Sequence, residues 1–384
     1  MKFALKMNEF KQWFGLAAKS ASPVETTVFS NVKITAQEGG ENQDFGTVLF
    51  TATDTEIDVI ARAYVAEVSE PGEVLLPIRL FNRILNANKA SDGIELETSD
   101  DNTLIIRVGG AVYQIPVQSS ADYPAIEPNI KTDSWLIESG EIEKAFNCTS
   151  FSVDTENVKY SLGGVLFDPN EFDEIDFVST DGRRLSRLTA KAEVVGNPTP
   201  PANAIIPPKA FALARQIASM TGEKASIFTE NGKIYFNFLS VNLSSRLIDG
   251  RFPAWRKIMP DVNERKYQTF NVESLLTAVR QAAALTTDIT PGIYFQFVSD
   301  KPLTICVPES PSGKVSQTVQ CVADETQPVD SSCKLDPNLI IPYLSALPSA
   351  SNVTLWIGKE QSSVMFESLD MSEVVSKYVL MPLA

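Results

Sequence analysis

The chain has 384 residues, 43% of them hydrophobic, with 48 acidic and 33 basic side chains and a formal net charge of −15. Its length predicts roughly two to four domains at ~100–200 residues each, and its acidity argues against wholesale nucleic-acid binding while permitting a local basic surface. Because histidine is absent, the Ser-His-Asp, Cys-His and H-E-x-x-H arrangements are excluded, and neither common glycine-rich phosphate-binding motif occurs.

Helix predictions recur along the chain with a period of about 130 residues. The predicted helices are residues 8–21, 77–88, 139–150, 207–220, 271–285 and 336–347. The second helix of each pair has proline at or near its first turn, where the missing N–H costs nothing. Alternating and β-branched runs between the helices predict strands. We therefore predict an α+β fold of three similar domains, 1–130, 131–258 and 259–384.

The segment 247–260 (LIDGRFPAWRKIMP) joins the second copy to the third. Asp249-Gly250 is typical of a turn, while Pro253 and Pro260 forbid a continuous helix or central strand. The segment is too apolar for a free linker. It predicts an extended, ordered connector that lies on a surface.

Each copy has only two helices to cover its sheet, so the edge strands need partners. Joining the copies edge to edge would supply them. Three joined copies describe an arc, which a second chain closes into a ring through head-to-tail contacts.

Location and cofactors are constrained by what the sequence lacks. No apolar run approaches the ~20 residues of a membrane span. Near the N-terminus, charged residues interrupt the apolar core that a signal peptide would need, and these are Lys6, Glu9 and Lys11. We therefore expect a cytoplasmic protein. The cysteines have neither zinc nor redox spacing. We expect three of them to be small core residues or ordinary loop thiols, with no metal and no cofactor. The cysteines are Cys148, Cys306, Cys321 and Cys333.

Four stretches, in this order and spacing, resemble the bacterial DNA polymerase III beta subunit family of sliding clamps. They are 159–167 (KYSLGGVLF), 178–188 (VSTDGRRLSRL), 247–260 and 378–384 (YVLMPLA). The resemblance covers the whole chain. It implies the DNA clamp fold, with helices lining the inside and antiparallel sheets outside, in a head-to-tail dimer ring.

The resemblance also implies a function without enzymatic activity. Such a homodimer encircles double-stranded DNA without sequence preference, tethers the replicative polymerase as its processivity factor, and is opened onto DNA by an ATP-hydrolysing clamp loader. The loader, polymerases and repair proteins dock through short peptide motifs. We expect no membrane among its partners.

The implied docking site is a hydrophobic cleft between the second and third domains. Carried over by motif, its walls are Leu162, Thr180, Gly182, Arg183, Arg184, Leu185, Pro253, Lys257, Ile258, Ser363, Val379, Met381, Pro382 and Leu383. The chain departs from the family by a shorter C-terminal end and by Lys257 where arginine is frequent, which removes bidentate hydrogen bonding. We expect partner affinity to differ accordingly.

A sliding protein needs a diffuse cationic lining and no base-reading contacts. The candidate DNA-facing residues are Lys11, Lys19, Arg79, Arg83, Lys89, Lys144, Lys209, Arg215 and Arg280. The last predicted helix has no cation, so we expect weaker DNA contact in the third copy. For the dimer seam, the resemblance points to Tyr113 and Ile115 meeting Ala284 and Leu285, with small Ala284 weakening the contact.

Two other functions fit parts of the sequence. The acidic run 171–176 permits a carboxylate-based hydrolase, although its position beside Pro169-Asn170 favours a solvated loop. The same repeats could also form a peptide-binding adaptor that does not encircle DNA.

Overall fold

The computed structural model describes residues 1–39, 45–65, 68–89, 93–99, 103–156, 160–299, 301–327, 330–359, 362–370 and 373–383. Lys159, the first residue of the stretch 159–167, and Ala384, the last residue of 378–384, lie outside these residues. Within them, no helix is long and apolar enough to cross a membrane.

All the predicted helices form, each within a few residues of its predicted bounds. They are α1 (Met7–Ala17), α2 (Ile78–Ala87), α3 (Ser139–Thr149), α4 (Pro208–Thr221), α5 (Val272–Ala283) and α6 (Pro337–Ala346). Asn271 caps α5 and Asp336 caps α6, each by accepting a backbone N–H of the first turn. The α+β prediction is confirmed.

The described chain divides into two compact units. Unit 1 comprises Met1–Ser139, Val194–Pro198 and Lys209–Leu247, and unit 2 comprises Gly140–Glu193, Thr199–Pro208 and Ile248–Ala384. The middle third of the sequence supplies strands to a sheet in each unit. The division into three domains therefore stays a prediction.

Unit 1 is built on two antiparallel sheets. In spatial order, the first is β5 (Val68–Glu70), β1 (Lys2–Lys6), β7 (Gly93–Thr98), β8 (Thr103–Val108) and β9 (Ala111–Pro116). The second is β14 (Glu193–Val195), β10 (Ser134–Ile137), β16 (Ala225–Glu230), β17 (Lys233–Asn237), β18 (Val241–Arg246), β4 (Ile57–Val65), β3 (Gly46–Thr53), β2 (Asn31–Gln37) and β6 (Gly72–Pro77).

Unit 2 repeats this arrangement with one long and one short sheet. The long sheet runs β15 (Ala204–Ile206), β11 (Val165–Pro169), β12 (Glu174–Thr180), β13 (Arg184–Lys191), β27 (Glu373–Leu380), β26 (Val364–Asp370), β25 (Asn352–Ile357), β19 (Lys266–Asn271) and β23 (Cys321–Thr326). The short sheet runs β22 (Gly313–Val319), β21 (Leu303–Ser310), β20 (Ile293–Phe297) and β24 (Ser331–Leu335).

Aromatic side chains fix the helices on the sheets. In unit 1, Phe10 and Phe14 of α1 are fully buried against Phe81 of α2, with ring centroids 5.2–5.3 Å apart. In unit 2, Tyr343 of α6 stacks on Tyr378 of β27 at 4.7 Å. Because these rings bury large apolar areas in defined geometry, they set which helix face meets the sheet.

The copies join edge to edge, as predicted, at one strand pair in each unit. In unit 1, β18 of the second copy pairs with β4 of the first, with Ser244 opposite Asp58. In unit 2, β13 of the second copy pairs with β27 of the third, with Leu185 opposite Val379. Each nine-stranded sheet is therefore continuous across a copy boundary.

A half-buried carboxylate stabilises the junction in unit 1. Asp58 accepts hydrogen bonds from Thr53 Oγ1 (2.7 Å), Lys233 Nζ (2.9 Å) and Ser244 Oγ (2.7 Å). Burial raises the pKa of the Asp58 carboxyl, but these hydrogen bonds outweigh it and leave the pKa below its ordinary value. The charged form is therefore favoured in the folded protein.

Asp58→Asn should lower the free energy of unfolding by about 1–3 kcal/mol near neutral pH, because it leaves buried donors without their ionised acceptor. The pKa of Asp58 is lowered on folding, so its contribution is present above the unfolded-state pKa and disappears as pH falls through the folded-state value. Urea unfolding at several pH values measures both effects.

The exposed Asp122→Asn serves as the control, because it makes the same charge change without a buried partner. A stability difference for Asp58→Asn that stayed constant from neutral to strongly acidic pH would contradict the role given to the carboxylate.

Candidate functional site

The connector 247–260 is ordered, but it is not extended throughout. Phe252 N donates to Asn203 Oδ1 at 2.9 Å, and Ile248 N donates to Ile205 O at 2.9 Å. A 3-10 turn then spans Trp255–Lys257. This turn corrects the prediction of a wholly extended segment. It is closed by Lys257 N donating to Ala254 O and Ile258 N donating to Trp255 O, each at 3.0 Å, which is the hydrogen-bond pattern of a 3-10 helix.

Three of the predicted cleft residues belong to one apolar cluster in unit 2, and they are Leu162, Leu185 and Val379. The buried members around them were not predicted, and these are Leu166, Val178, Ile205, Phe252, Trp255 and Met365. The strand register explains the grouping, since Val379 lies opposite both Leu185 and Met365 and opposed side chains share a sheet face. Residues 364–366 are all apolar, so alternation along the strand gives no signal that singles out Met365.

Two residues predicted for the cleft are far more exposed than the members of this cluster. Ile258 has a relative exposure of 49% and Met381 of 51%, whereas Leu185 and Val379 are buried. Pro253 and Pro382 are half-buried, and Lys257 is exposed. Large exposed apolar side chains around a buried apolar floor mark a surface that can bind an apolar partner.

The hairpin between β12 and β13 holds its two arginines differently. Asp181 Oδ2 accepts Arg184 Nε at 2.9 Å, and Arg184 Nη2 donates to Phe151 O at 2.6 Å. Arg183 is exposed, and Gly182 takes φ +89°, which favours glycine. The hairpin therefore presents one exposed cation, Arg183, and holds the other, Arg184, by hydrogen bonds to its own residues.

Thr180 and the C-terminal residues complete the predicted set. Thr180 Oγ1 donates to Arg184 O at 2.6 Å, closing the same hairpin. Met381 N donates to Arg183 O at 3.0 Å, and Leu383 N donates to Lys334 O at 2.8 Å, so the tail is fixed at both ends. The strand that leads into this tail, β27, ends at Leu380.

Ser363 lies immediately before β26, at the end of the sheet where Val364 pairs with Leu380. Its carbonyl accepts a hydrogen bond from Arg265 Nη1, and its hydroxyl lies 3.2 Å from Arg265 Nη2. Burial lowers the pKa of the Arg265 guanidinium. Ser363 is therefore held beside the strand end that leads to Met381.

Several predicted DNA-facing cations already have a carboxylate partner within the same unit. These pairs are Arg79–Glu25 at 2.8 Å, Lys144–Glu141 at 3.0 Å and Lys209–Asp54 at 2.5 Å. Others bond to neutral oxygens, namely Lys11 to Asn88 O at 3.1 Å, Lys19 to Gln216 Oε1 at 2.5 Å and Arg280 to Ser345 Oγ at 3.1 Å. Arg83 and Lys89 are exposed, and Arg215 is half-buried.

The four predicted seam residues are divided between the units. Tyr113 and Ile115 lie on β9, the outer strand of its sheet, where Tyr113 Oη accepts Asn88 Nδ2 at 3.3 Å and Ile115 is buried. Ala284 is exposed at the end of α5, and Leu285 is half-buried.

The acidic run 171–176 does not form a paired catalytic site. Asn170 Nδ2 donates to Glu174 at 3.2 Å, while Asp176 is buried and contacts Arg187 at 2.7 Å. Burial raises the pKa of Asp176, partly opposed by Arg187 and Thr189. Across the described residues, no group of three His, Cys, Asp or Glu side chains is arranged to hold a metal ion.

The cysteine thiols are electrostatically unsuited to nucleophilic work. Burial raises the pKa of Cys148 to about 12 and that of Cys333 to about 12. Burial also raises the pKa of Cys306 and Cys321. A thiol that stays protonated near neutral pH is a poor nucleophile.

Comparison with known proteins gives one family. Residues 1–127 match the model of the DNA polymerase III beta subunit N-terminal domain, and residues 136–254 match that of its central domain. The beta sliding clamp of Caulobacter vibrioides is 26% identical over 279 residues, covering 71% of this chain and 73% of that protein. The beta sliding clamp of Escherichia coli K12 is 24% identical over 339 residues, covering 88% and 89%.

Among solved structures, the sliding clamp of Pseudomonas aeruginosa bound to griselimycin has a TM-score of 0.87 at 21% identity, covering 100% of this chain and 99% of that one. At this identity the likeness establishes the clamp fold, as the sequence predicted. The two family models lie in the expected order and together span most of the sequence. The chain therefore belongs to the DNA polymerase III beta subunit family.

Proposed function

We propose that this protein is a DNA sliding clamp and the processivity factor of a replicative polymerase. The observation that carries the proposal is the match of residues 1–127 and 136–254, in order, to two domains of the beta subunit. In this role it carries out no chemistry itself and acts in the cytoplasm, where the bacterial chromosome is replicated. It takes the form of three similar domains, 1–130, 131–258 and 259–384.

Two chains form a ring around double-stranded DNA. The support is that β9 and β22 are each the outer strand of a sheet, with backbone groups directed away from their own sheet. Tyr113 and Ile115 of one chain would then meet Ala284 and Leu285 of the other. A ring held at such edges can open for a clamp loader without breaking a hydrophobic core.

The duplex contacts the helices without base readout. Arg83 and Lys89 are exposed cations of the first copy, and α6 has no basic residue at all. Contacts of this kind bind phosphate in any sequence. The third copy therefore contributes less to DNA binding than the first.

Polymerases, the clamp loader and repair proteins dock a short apolar peptide on the cluster of Leu162, Leu185 and Val379. The half-exposed rim of Ile258 and Met381 supports this assignment. Arg183 and Lys257 add two exposed cations that can orient the peptide. A small apolar pocket with aliphatic and methionine edges accepts varied apolar anchors.

Encirclement predicts retention that depends on DNA topology. Protein placed on nicked circular duplex by its clamp loader and ATP should remain bound in high salt, because a topological link needs no salt-sensitive contact. It should be lost when the circle is linearised. Gel filtration of labelled protein measures both, and equal loss from circular and linear DNA would support the adaptor that does not encircle DNA.

The cation assignments predict unequal effects on duplex binding. Arg83→Ala with Lys89→Ala should weaken binding several-fold at low salt and reduce the salt slope by about two. Arg280→Ala is the comparison, and it should have a smaller effect. Fluorescence anisotropy with a duplex at several salt concentrations measures the slopes, and identical slopes for all proteins would rule out these contacts.

The cleft assignment predicts the effect of the C-terminal tail. Deleting residues 381–384 should abolish binding of a polymerase-derived peptide, because it removes the Met381 rim, and should leave the dimer intact. Anisotropy with labelled peptide and solution mass give the two readouts. Removing Ala384 alone is the control, and undiminished peptide binding by the longer deletion would refute the cleft.

A further inference from the structure

The part of the connector that contributes to the predicted cleft is attached to the sheet by side chains, among them Trp255, which is buried in the apolar cluster. We call Pro253, Lys257 and Ile258 the cleft wall. Its backbone hydrogen bonds are local, since Trp255 N, Lys257 N and Ile258 N donate to carbonyls of the segment itself at 2.7–3.0 Å. Local bonds set the shape of a segment, but they do not set its position on the sheet.

Two pockets adjoin this segment. One, of about 670 Å³, is lined in part by Phe172, Trp255 and Arg256, and the other, of about 330 Å³, by Asp168, Trp255 and Arg256. On those two sides the segment is packed less closely than a protein interior. Its position therefore depends on the side chains that fasten it.

Those side chains converge on two carboxylates. Trp255 Nε1 donates to Asp168 Oδ2 at 3.0 Å, and Arg256 Nη1 donates to the same oxygen at 2.7 Å. Arg256 Nη2 lies 3.5 Å from Asp176 Oδ2. The Arg256 guanidinium also lies over the Trp255 ring, 4.3 Å from its centroid, which holds the two side chains together.

Asp168 and Asp176 are directly opposite each other on β11 and β12, and we call them the acidic pair. Like charges at opposed positions destabilise a sheet. The charge of Asp176 is partly compensated by Arg187, whose Nε donates to Asp176 Oδ1 at 2.8 Å. Arg256 contacts both members of the pair, so the sheet itself favours keeping the connector in this position.

We propose that the acidic pair, through Arg256 and Trp255, positions the cleft wall for peptide binding. Asp168 and Arg256 are positioning residues under this proposal, because neither belongs to the predicted peptide surface. The inference rests on the proposed function of the cleft. It predicts that peptide affinity responds to residues on the sheet that the peptide does not touch.

The test is peptide binding by Asp168→Asn, measured by anisotropy with the polymerase-derived peptide. Losing a charge-assisted hydrogen bond should reduce affinity roughly tenfold. Asp168→Glu should recover part of the affinity, because it restores a carboxylate. Asp173→Asn is the matched control, since it removes an exposed carboxylate from the same hairpin, and asparagine tolerates the positive φ found there.

Arg256→Gln provides a second measurement if Asp168→Asn unfolds. Arg256 is largely exposed, so its replacement should leave the dimer folded and still reduce affinity. When both variants fold, the double variant should lose less binding free energy for the peptide than the two single variants lose in sum, because the two residues act through one contact. Thermal unfolding of each protein separates displacement of the wall from loss of folded protein.

Two results would overturn the proposal. One is equal affinity of Asp168→Asn and Asp173→Asn, and the other is strict additivity of the Asp168 and Arg256 effects. The cleft is tested separately by deletion of residues 381–384. If that deletion also leaves peptide binding intact, the proposed docking site fails rather than the positioning contact alone.

Discussion

The structure depends on the pairing of strand edges where its predicted copies meet. A copy with two helices and short sheets leaves backbone donors and acceptors unpaired at its margins. The chain pairs such edges by joining β4 to β18 and β13 to β27, which makes two nine-stranded sheets. Folding of one copy is thereby coupled to that of the next, and the half-buried hydrogen bonds of Asp58 lie where such a join occurs.

The same pairing explains the location of the candidate cleft. Joining β13 to β27 brings Leu185 opposite Val379, although the two residues are far apart in sequence. Neither copy could make that apolar floor alone. The connector also runs between the predicted copies, and its residues would supply the rim of the proposed cleft. A boundary between copies would thus supply both the floor and the rim.

Much of this organisation could be predicted from sequence, because helix period, turn residues and repeat spacing are local signals. The helices, the repeat and the ordered connector all follow from such patterns. The contacts of Asp168 with Trp255 and Arg256 could not, since they join residues almost ninety positions apart and depend on strand register. The same limit applies to Met365, whose place beside Val379 is set by the pairing of β26 with β27.

The carboxylate partners of the helix cations have a consequence for movement. A phosphate that approached Arg79, Lys144 or Lys209 would replace an existing anion instead of adding a new contact. The net gain per exposed pair is small, at most about 1 kcal/mol. Where these helices face a duplex, the binding free energy would therefore differ little between successive phosphate positions. The acidic neighbours would then lower the energy barriers to movement of the protein along DNA.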